Sequence, residues 1–162
     1  MSDAAGKPDR AGARSRLCMN IMSENQRELN PTQLSPSRLA YLGDAVWELC
    51  VRETLVRQGV RRPSVESLGY VTAKVQARAA ARILPALTEE ESDVYRRGRN
   101  MGHSNLPKSA TLAEYCAATG LECLFGWLRL SDRGDRIAEL FALAFSEEAG
   151  GEGERASDEP GK

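Results

Sequence analysis

Two acidic residues lie within stretches that otherwise have the composition of a helical core. Asp44 lies within the apolar run 42–47, and Glu122 lies within the apolar run 121–125. An ionised carboxylate that is buried without a partner is strongly destabilising, so such residues are normally paired, hydrogen-bonded or bound to a metal ion. If the two acids converge across packed helices, they form a site of hard oxygen donors that favours Mg²⁺, with Mn²⁺ as a substitute, over zinc.

The two acids have a simpler explanation as surface charges on amphipathic helices. Asp44, Glu48 and Arg52 follow one another at intervals of four residues, which is typical of a solvated charge ladder. Glu122 and Arg129 lie two helical turns apart and share one helix face. The residue types and their spacing leave both explanations open.

A cationic stretch separates the two acids along the chain. Positions 94–113 contain no Asp or Glu, and they contain these basic residues: Arg96, Arg97, Arg99 and Lys108. We therefore expect no nearby acid to neutralise the arginines, and such a local positive charge suits a polyanionic partner. Solvated surface charge is the alternative explanation. Acids, an oxygen-seeking metal and an arginine-rich loop together describe metal-assisted hydrolysis of a phosphodiester.

The composition excludes several other classes of protein. The chain has 162 residues, enough for one globular domain, and its single histidine, His103, excludes HExxH proteases and Cys₂His₂ zinc fingers. No apolar run approaches the roughly 18–20 residues of a membrane span, and the N-terminus lacks a secretory apolar region. We therefore expect a soluble, cytoplasmic protein whose four cysteines are free thiols.

The distribution of apolar residues divides the chain into three predicted regions. Residues 1–31 are predicted to be a flexible leader, residues 32–148 the folded domain, and residues 149–162 a disordered acidic tail. Within the domain the apolar residues recur at helical spacing, and no segment shows a convincing strand alternation. We therefore predict a single all-α domain with the architecture of a helical bundle.

Capping and helix-breaking residues predict where the helices begin and end. Ser35-Pro36 is expected to begin a long first helix, and an Ala-rich helix is expected to run from Pro63 to Pro85. Residues 88–91 have the form of a capping box, residues 98–108 are typical of an exposed loop, and the last helix is predicted over 135–149.

The same spacing predicts which side chains face the core. The leucines expected there include the following: Leu39, Leu49, Leu55, Leu112, Leu121, Leu124 and Leu128. Gly120 and Gly126 lie inside one helical pattern, where glycine is destabilising by about 1 kcal/mol relative to alanine. Their presence indicates a close approach by another helix.

The order of these motifs resembles one enzyme family. Residues 39–49 contain Leu-Gly-Asp-Ala-Val and a following Glu-Leu, which resemble the signature helix of the ribonuclease III catalytic domain, and residues 120–126 resemble its second acidic helix. Further segments resemble the Mini-ribonuclease III branch, which has the catalytic domain without a double-stranded RNA-binding domain: residues 72–77, 87–91 and 96–100. The resemblance covers residues 35–145 in one colinear order.

The resemblance implies a ribonuclease III-like fold and a Mg²⁺-dependent endonuclease that acts on double-stranded or structured RNA. In the family this activity matures precursor ribosomal RNA, notably the large-subunit (23S) ends, and two sites of a homodimer line a valley for the RNA duplex. The resemblance assigns Asp44 and Glu122 as catalytic residues and metal ligands. Without a separate RNA-binding domain, the contacts to RNA are expected from the basic loop: Arg96, Arg97, Arg99, Asn100 and Lys108.

The chain departs from the longer ribonuclease III enzymes at positions where those enzymes carry further carboxylates. Ser37, Ala40 and Thr119 stand there instead, as in the short branch, and they leave the metal with fewer protein ligands. The main alternative function is a non-catalytic RNA-binding or ribosome-associated protein that retains the fold. A third is an all-α interaction module with ordinary surface acids. The presence of both Asp44 and Glu122 favours the enzyme.

Overall fold

The part of the chain that the structure describes is a bundle of helices. The computed structural model describes residues 29–102 and 110–146, and these residues contain no β-strand. We number the α-helices of these ranges as α1 to α6: Pro36–Arg57, Pro63–Glu66, Ala73–Ile83, Glu89–Arg99, Leu112–Leu130 and Gly134–Ala144. Short 3₁₀ turns are Pro31–Gln33, Ser67–Gly69 and Leu84–Ala86. The prediction of an all-α fold is confirmed.

Local capping interactions determine where two of the helices begin. The hydroxyl of Thr88 accepts a hydrogen bond from the backbone of Glu91, and the Glu91 carboxylate accepts one from the Thr88 backbone at 3.0 Å. Thr111 and Glu114 form the same reciprocal pair at the start of α5. Because each box satisfies two backbone donors that a helix start leaves free, it defines the first residue of the helix. The predicted capping box at 88–91 is confirmed.

The predicted continuous helix from Pro63 to Pro85 is wrong, because the chain is interrupted between α2 and α3. After the turn at 67–69, the backbone carbonyl of Tyr70 accepts a hydrogen bond of 3.1 Å from the Trp47 indole. Thr72 then adopts an extended backbone and caps α3 with its side chain. A tertiary contact to a buried tryptophan and a local cap therefore override the helical spacing. The last helix also ends at Ala144 rather than Ala149.

The core is built around α5, which packs against α1, α3 and α4. Its largest fully buried side chains include these: Trp47, Phe125, Leu39, Ile83, Leu121, Leu124, Leu128 and Leu140. Two of the predicted core leucines are wrong, because Leu49 and Leu112 are each 57% exposed. Leu112 is the first residue of α5 and extends beyond the packed part of the helix, whereas Leu49 lies on the outer face of α1.

One buried carboxylate joins α4 to α6. Glu91 is fully buried, and its oxygens accept hydrogen bonds from Arg136 at 3.0 and 2.8 Å. Arg133 adds a second guanidinium 3.4 Å away. Since the same carboxylate also caps α4, it is satisfied on several sides, which is what a buried charge requires.

The two longest helices approach each other closely enough for their backbones to touch. A Cβ atom added at Gly43 of α1 would overlap the carbonyl oxygen of Glu122 and lie 2.8 Å from the backbone nitrogen of Gly126. A Cβ atom added at Gly120 would likewise lie 2.7 Å from the ring of Tyr95 on α4. The predicted close approach at Gly120 and Gly126 is confirmed, and only glycine permits this packing.

Two further features concern the cysteines and the membrane. Cys50, Cys116 and Cys123 are free thiols, as expected, and Cys18 lies outside the described residues. In the ranges that the structure describes, no helix combines the length and the apolar character needed to cross a bilayer.

Candidate active site

The contact between α1 and α5 brings the two predicted acids together. Asp44 follows Gly43 directly, and Glu122 contributes the carbonyl oxygen against which Gly43 packs. The two carboxylates are close enough to interact electrostatically, because the negative charge of Asp44 raises the pKa of Glu122. The structure therefore places the two acids close to each other. The close backbone packing holds their main chains in a fixed relation.

The surroundings of the two carboxylates disfavour their charged forms. Burial, followed by the charge of Asp44, raises the pKa of Glu122 to about 7. Asp44 is more exposed, and burial together with the charge of Glu48 raises its pKa in the same direction. Within the described ranges neither acid has an ion-pair partner. Two adjacent, unneutralised carboxylates are stabilised by a bound cation.

The donors at this site fit a hard divalent cation such as Mg²⁺. Both are carboxylates, which Mg²⁺ and Mn²⁺ prefer. Among the residues that the structure describes, no three His, Cys, Asp or Glu side chains cluster as a complete ligand set. A site with two carboxylates suits Mg²⁺, because this ion commonly keeps several waters and takes one or two carboxylates together with substrate phosphates. The neighbouring Glu48 is paired with Arg52 at 2.7 Å.

A third side chain at this site was missed by sequence reasoning. Gln76 on α3 is only 2% exposed, and it interacts with the Glu122 carboxylate in the direction that lowers the pKa of that acid. The contact falls short of full hydrogen-bond geometry, so the Gln76 Nε2 atom has no hydrogen-bond partner in the described structure. Nothing in the sequence singled out Gln76, because glutamine is a common residue on the polar faces of helices.

The arginines near the end of α4 differ from one another. Arg96 is paired with Asp93 at 2.8 Å, so the expectation that no acid lies nearby is wrong for this residue. Arg97 is engaged inside the fold, where its guanidinium donates to the carbonyls of Thr32 and Leu34 at 2.9 and 2.7 Å. The Asp93–Arg96 pair spans three positions of one helix, so its spacing is visible in the sequence. The sequence could not show the contacts of Arg97, because they join residues far apart in the chain.

Three predicted RNA contacts remain to be placed. Arg99 ends α4 and Asn100 follows it, and both are exposed. Within the described ranges Arg99 has no ion-pair partner. Lys108 lies outside the described residues, as does His103. Arg99 and Asn100 therefore match the predicted exposed position best.

Comparison with known proteins links this geometry to one family. Residues 37–133 match the model of the Ribonuclease III domain. The chain is 46% identical over 121 residues to Mini-ribonuclease 3 of Symbiobacterium thermophilum, covering 73% of this chain and 93% of that protein. It is 38% identical over 128 residues to Mini-ribonuclease 3 of Brevibacillus brevis, covering 77% and 96%.

The fold is also similar to a solved structure. An X-ray crystal structure of a Fusobacterium nucleatum protein superposes with a TM-score of 0.61 at 32% sequence identity. The match covers 67% of this chain and 89% of the other.

Proposed function

Because the chain belongs to the ribonuclease III family and, within it, to the Mini-ribonuclease 3 group, we propose that it is a divalent-metal-dependent endoribonuclease that hydrolyses phosphodiester bonds in double-stranded RNA. The observation that carries this proposal is the convergence of Asp44 and Glu122 at the contact between α1 and α5. A pair of unneutralised carboxylates is costly for the fold unless a cation binds there.

Asp44 and Glu122 would hold Mg²⁺, or Mn²⁺ in its place. The bound ion would supply positive charge to the scissile phosphate and lower the pKa of a water molecule. Asp44 lies at the exposed edge of the site, where substrate can reach it. Glu122 lies deeper, and because its pKa is about 7, both its charged and its protonated forms are populated near neutral pH in the metal-free protein. With the ion bound, its positive charge would favour the ionised form of Glu122, and the carboxylate would serve as a ligand.

The RNA would be recognised by shape rather than by sequence. Duplex RNA presents its phosphates and 2′-hydroxyls, whereas its deep major groove is closed to side chains. Arg99 and Asn100 are exposed at the end of α4 and are the best-placed described residues for phosphate contacts, with Arg96 and Lys108 as further candidates. Arg97 is assigned mainly to the fold, because its guanidinium already binds two carbonyls.

We further propose that the protein acts as a homodimer on structured precursors of large-subunit ribosomal RNA in the cytoplasm. The exposed face of α1 carries Tyr41, Leu49 and Val56, which are 86%, 57% and 68% exposed. An apolar stripe of this kind on one helix face is typical of a protein–protein interface. The face starts beside Asp44, so a partner bound there would lie near the candidate active site.

Asp44→Asn tests this function, because it preserves size and removes one charge from the metal site. We expect cleavage of a double-stranded RNA with Mg²⁺ to fall by roughly 100-fold or more, as for loss of one preorganised charge-stabilising group. Folding, measured by circular dichroism, and RNA affinity should be retained. Asp135→Asn is the matched control, because Asp135 is an exposed acid at the start of α6 and should keep full activity.

The outcome also separates the two candidate functions. Cleavage by Asp44→Asn at the wild-type rate would contradict the assignment of the site. If the wild-type protein binds double-stranded RNA and never cuts it with either Mg²⁺ or Mn²⁺, the non-catalytic RNA-binding alternative is correct. A comparison of a generic duplex with a structured large-subunit precursor tests the proposed substrate.

A further inference from the structure

The side chain of Gln76 occupies a position where the helix pattern calls for an apolar residue. The buried residues of α3 are Gln76, Ala79, Ala80 and Ile83, which form one face at helical spacing. This face packs against α5, the helix that carries Glu122. Gln76 is therefore a polar group on an otherwise apolar surface of the core.

The amide of Gln76 is costly for the fold as it stands. Its Nε2 atom is buried and has no hydrogen-bond partner in the described ranges. A buried donor without a partner destabilises a protein, and replacement by an apolar side chain of the same shape can be stabilising. An energetically unfavourable polar group next to a candidate active site is typical of a residue kept for function.

We propose that Gln76 is a positioning residue that orients the Glu122 carboxylate toward the bound divalent cation. This inference rests on the proposed metal-dependent function. A carboxylate has two oxygens, so one can accept from the Gln76 amide while the other faces the metal. The Gln76 amide would donate to the charged carboxylate and so hold its orientation. Gln76 itself does not touch the metal or the substrate.

The expected change in metal affinity on loss of the Gln76 amide follows from the behaviour of metal sites in general. Groups that hydrogen-bond a metal ligand restrict its orientation and strengthen metal binding, and their loss typically weakens metal affinity by about 10–100-fold. A residue that only fills space would show no such effect when it is replaced by one of similar volume. The two roles therefore differ in metal affinity rather than in folding.

The test combines metal affinity and thermal stability in Gln76→Met, which keeps the length of the side chain and removes the amide. We expect the dissociation constant for Mn²⁺ alone, measured without RNA by electron paramagnetic resonance, to rise about tenfold or more. The melting temperature of the metal-free variant should be equal to or higher than that of the wild type, because the unsatisfied donor is gone. Gln76→Leu repeats the measurement with a second apolar side chain.

Matched controls make every outcome decisive. Gln58→Met, at an exposed glutamine that follows α1, should change neither quantity, and Asp44→Asn should weaken Mn²⁺ binding. Wild-type binding with unchanged affinity in Gln76→Met would overturn this inference alone. Absence of saturable Mn²⁺ binding by the wild type would overturn the proposed metal dependence and this inference with it. Failure of both Gln76 variants to fold would show that the amide serves the fold, and would overturn the inference as well.

Discussion

At the scale of single residues, Glu122 combines partial burial with a charged neighbour. Its pKa is raised from 4.5 to about 7, first by burial and then by Asp44. Between these two pH values the folded protein binds more protons at this site than the unfolded chain does. The contribution of Glu122 to the free energy of unfolding therefore falls as pH rises through this window, and the full penalty is present above the folded pKa.

Glu122→Gln removes this penalty and should stabilise the metal-free protein at neutral and alkaline pH. We expect the free energy of unfolding of the variant to exceed that of the wild type by up to about 3 kcal/mol near pH 8. Near pH 4 the two free energies should differ little. Urea unfolding of both proteins with a chelator present, at several pH values, measures the difference. Glu91 titrates in the opposite sense, because Arg136 lowers its pKa despite burial, but it is common to both proteins and cancels. A stability difference that does not vary with pH would contradict the raised pKa.

A residue of the site could be identified from the sequence only where its type differed clearly from that of its neighbours. Asp44 and Glu122 were singled out because each interrupts an apolar run, and the family resemblance then assigned both to one site. The structure brings the two close together. Gln76 was not predicted, because it stands between Val75 and Ala77 in a helix that also carries basic residues, and its burial depends on how α3 packs. The contacts of Arg97 were equally hidden, since they join it to residues 32 and 34.

At the scale of elements, the glycine contact between α1 and α5 positions the site. Gly43→Ala places a methyl group on the carbonyl oxygen of Glu122, so the helices must separate. Overpacking of this kind typically costs about 1–3 kcal/mol, and we expect the upper end, because the obstacle is backbone rather than a flexible side chain. Cleavage should fall further than stability does, since small displacements of catalytic groups cost large factors in rate.

Gly134→Ala is the matched control for this substitution. No atom within 4 Å would meet a Cβ at Gly134, which begins α6. This variant should be neutral or slightly more stable, because alanine reduces the freedom of the unfolded chain. Thermal unfolding of the two variants decides the matter. Equal stability of Gly43→Ala and the wild type would show that α1 can move away from α5 without loss.

Two neighbouring arginines should separate folding from RNA binding. Arg97→Ala should lower the free energy of unfolding by about 1–3 kcal/mol, because it breaks two charge-assisted hydrogen bonds to the segment before α1. Arg99→Ala should leave stability almost unchanged and weaken duplex RNA binding across sequences. It should also flatten the slope of log affinity against log salt by about one unit. Unchanged affinity and slope in Arg99→Ala would mean that the duplex docks elsewhere.

Helix starts were more predictable than helix interruptions, for a physical reason. The capping box at Thr88 is a local interaction between residues close in sequence, so its pattern is visible in one dimension. The break between α2 and α3 is stabilised by the Trp47 indole on the Tyr70 carbonyl, a contact across 23 positions. No local pattern contains that information, and the Ala-rich segment that follows the break has high helix propensity.

At the scale of the whole molecule, the outer face of α1 is left uncovered by the residues that the structure describes. Tyr41, Leu49 and Val56 are exposed there together with Ala45, at spacings that place them on one face. Leu49 was expected in the core, because helical spacing identifies an apolar face and does not distinguish a core from an interface. A second copy of the chain would bury this face.

Leu49→Glu should convert a dimer to a monomer, because it places a charge at the centre of the apolar face of α1. Light scattering coupled to size-exclusion chromatography at micromolar concentration measures the change, and circular dichroism verifies that the fold is kept. Leu112→Glu is a closely matched control, since both leucines are 57% exposed and belong to long helices, but Leu112 belongs to α5 rather than to α1. The two variants carry the same charge change, so general solubility or electrostatic repulsion would affect both alike. Only an interface on α1 makes Leu49→Glu a monomer while Leu112→Glu stays dimeric, and a monomeric wild type would contradict the proposed dimer outright.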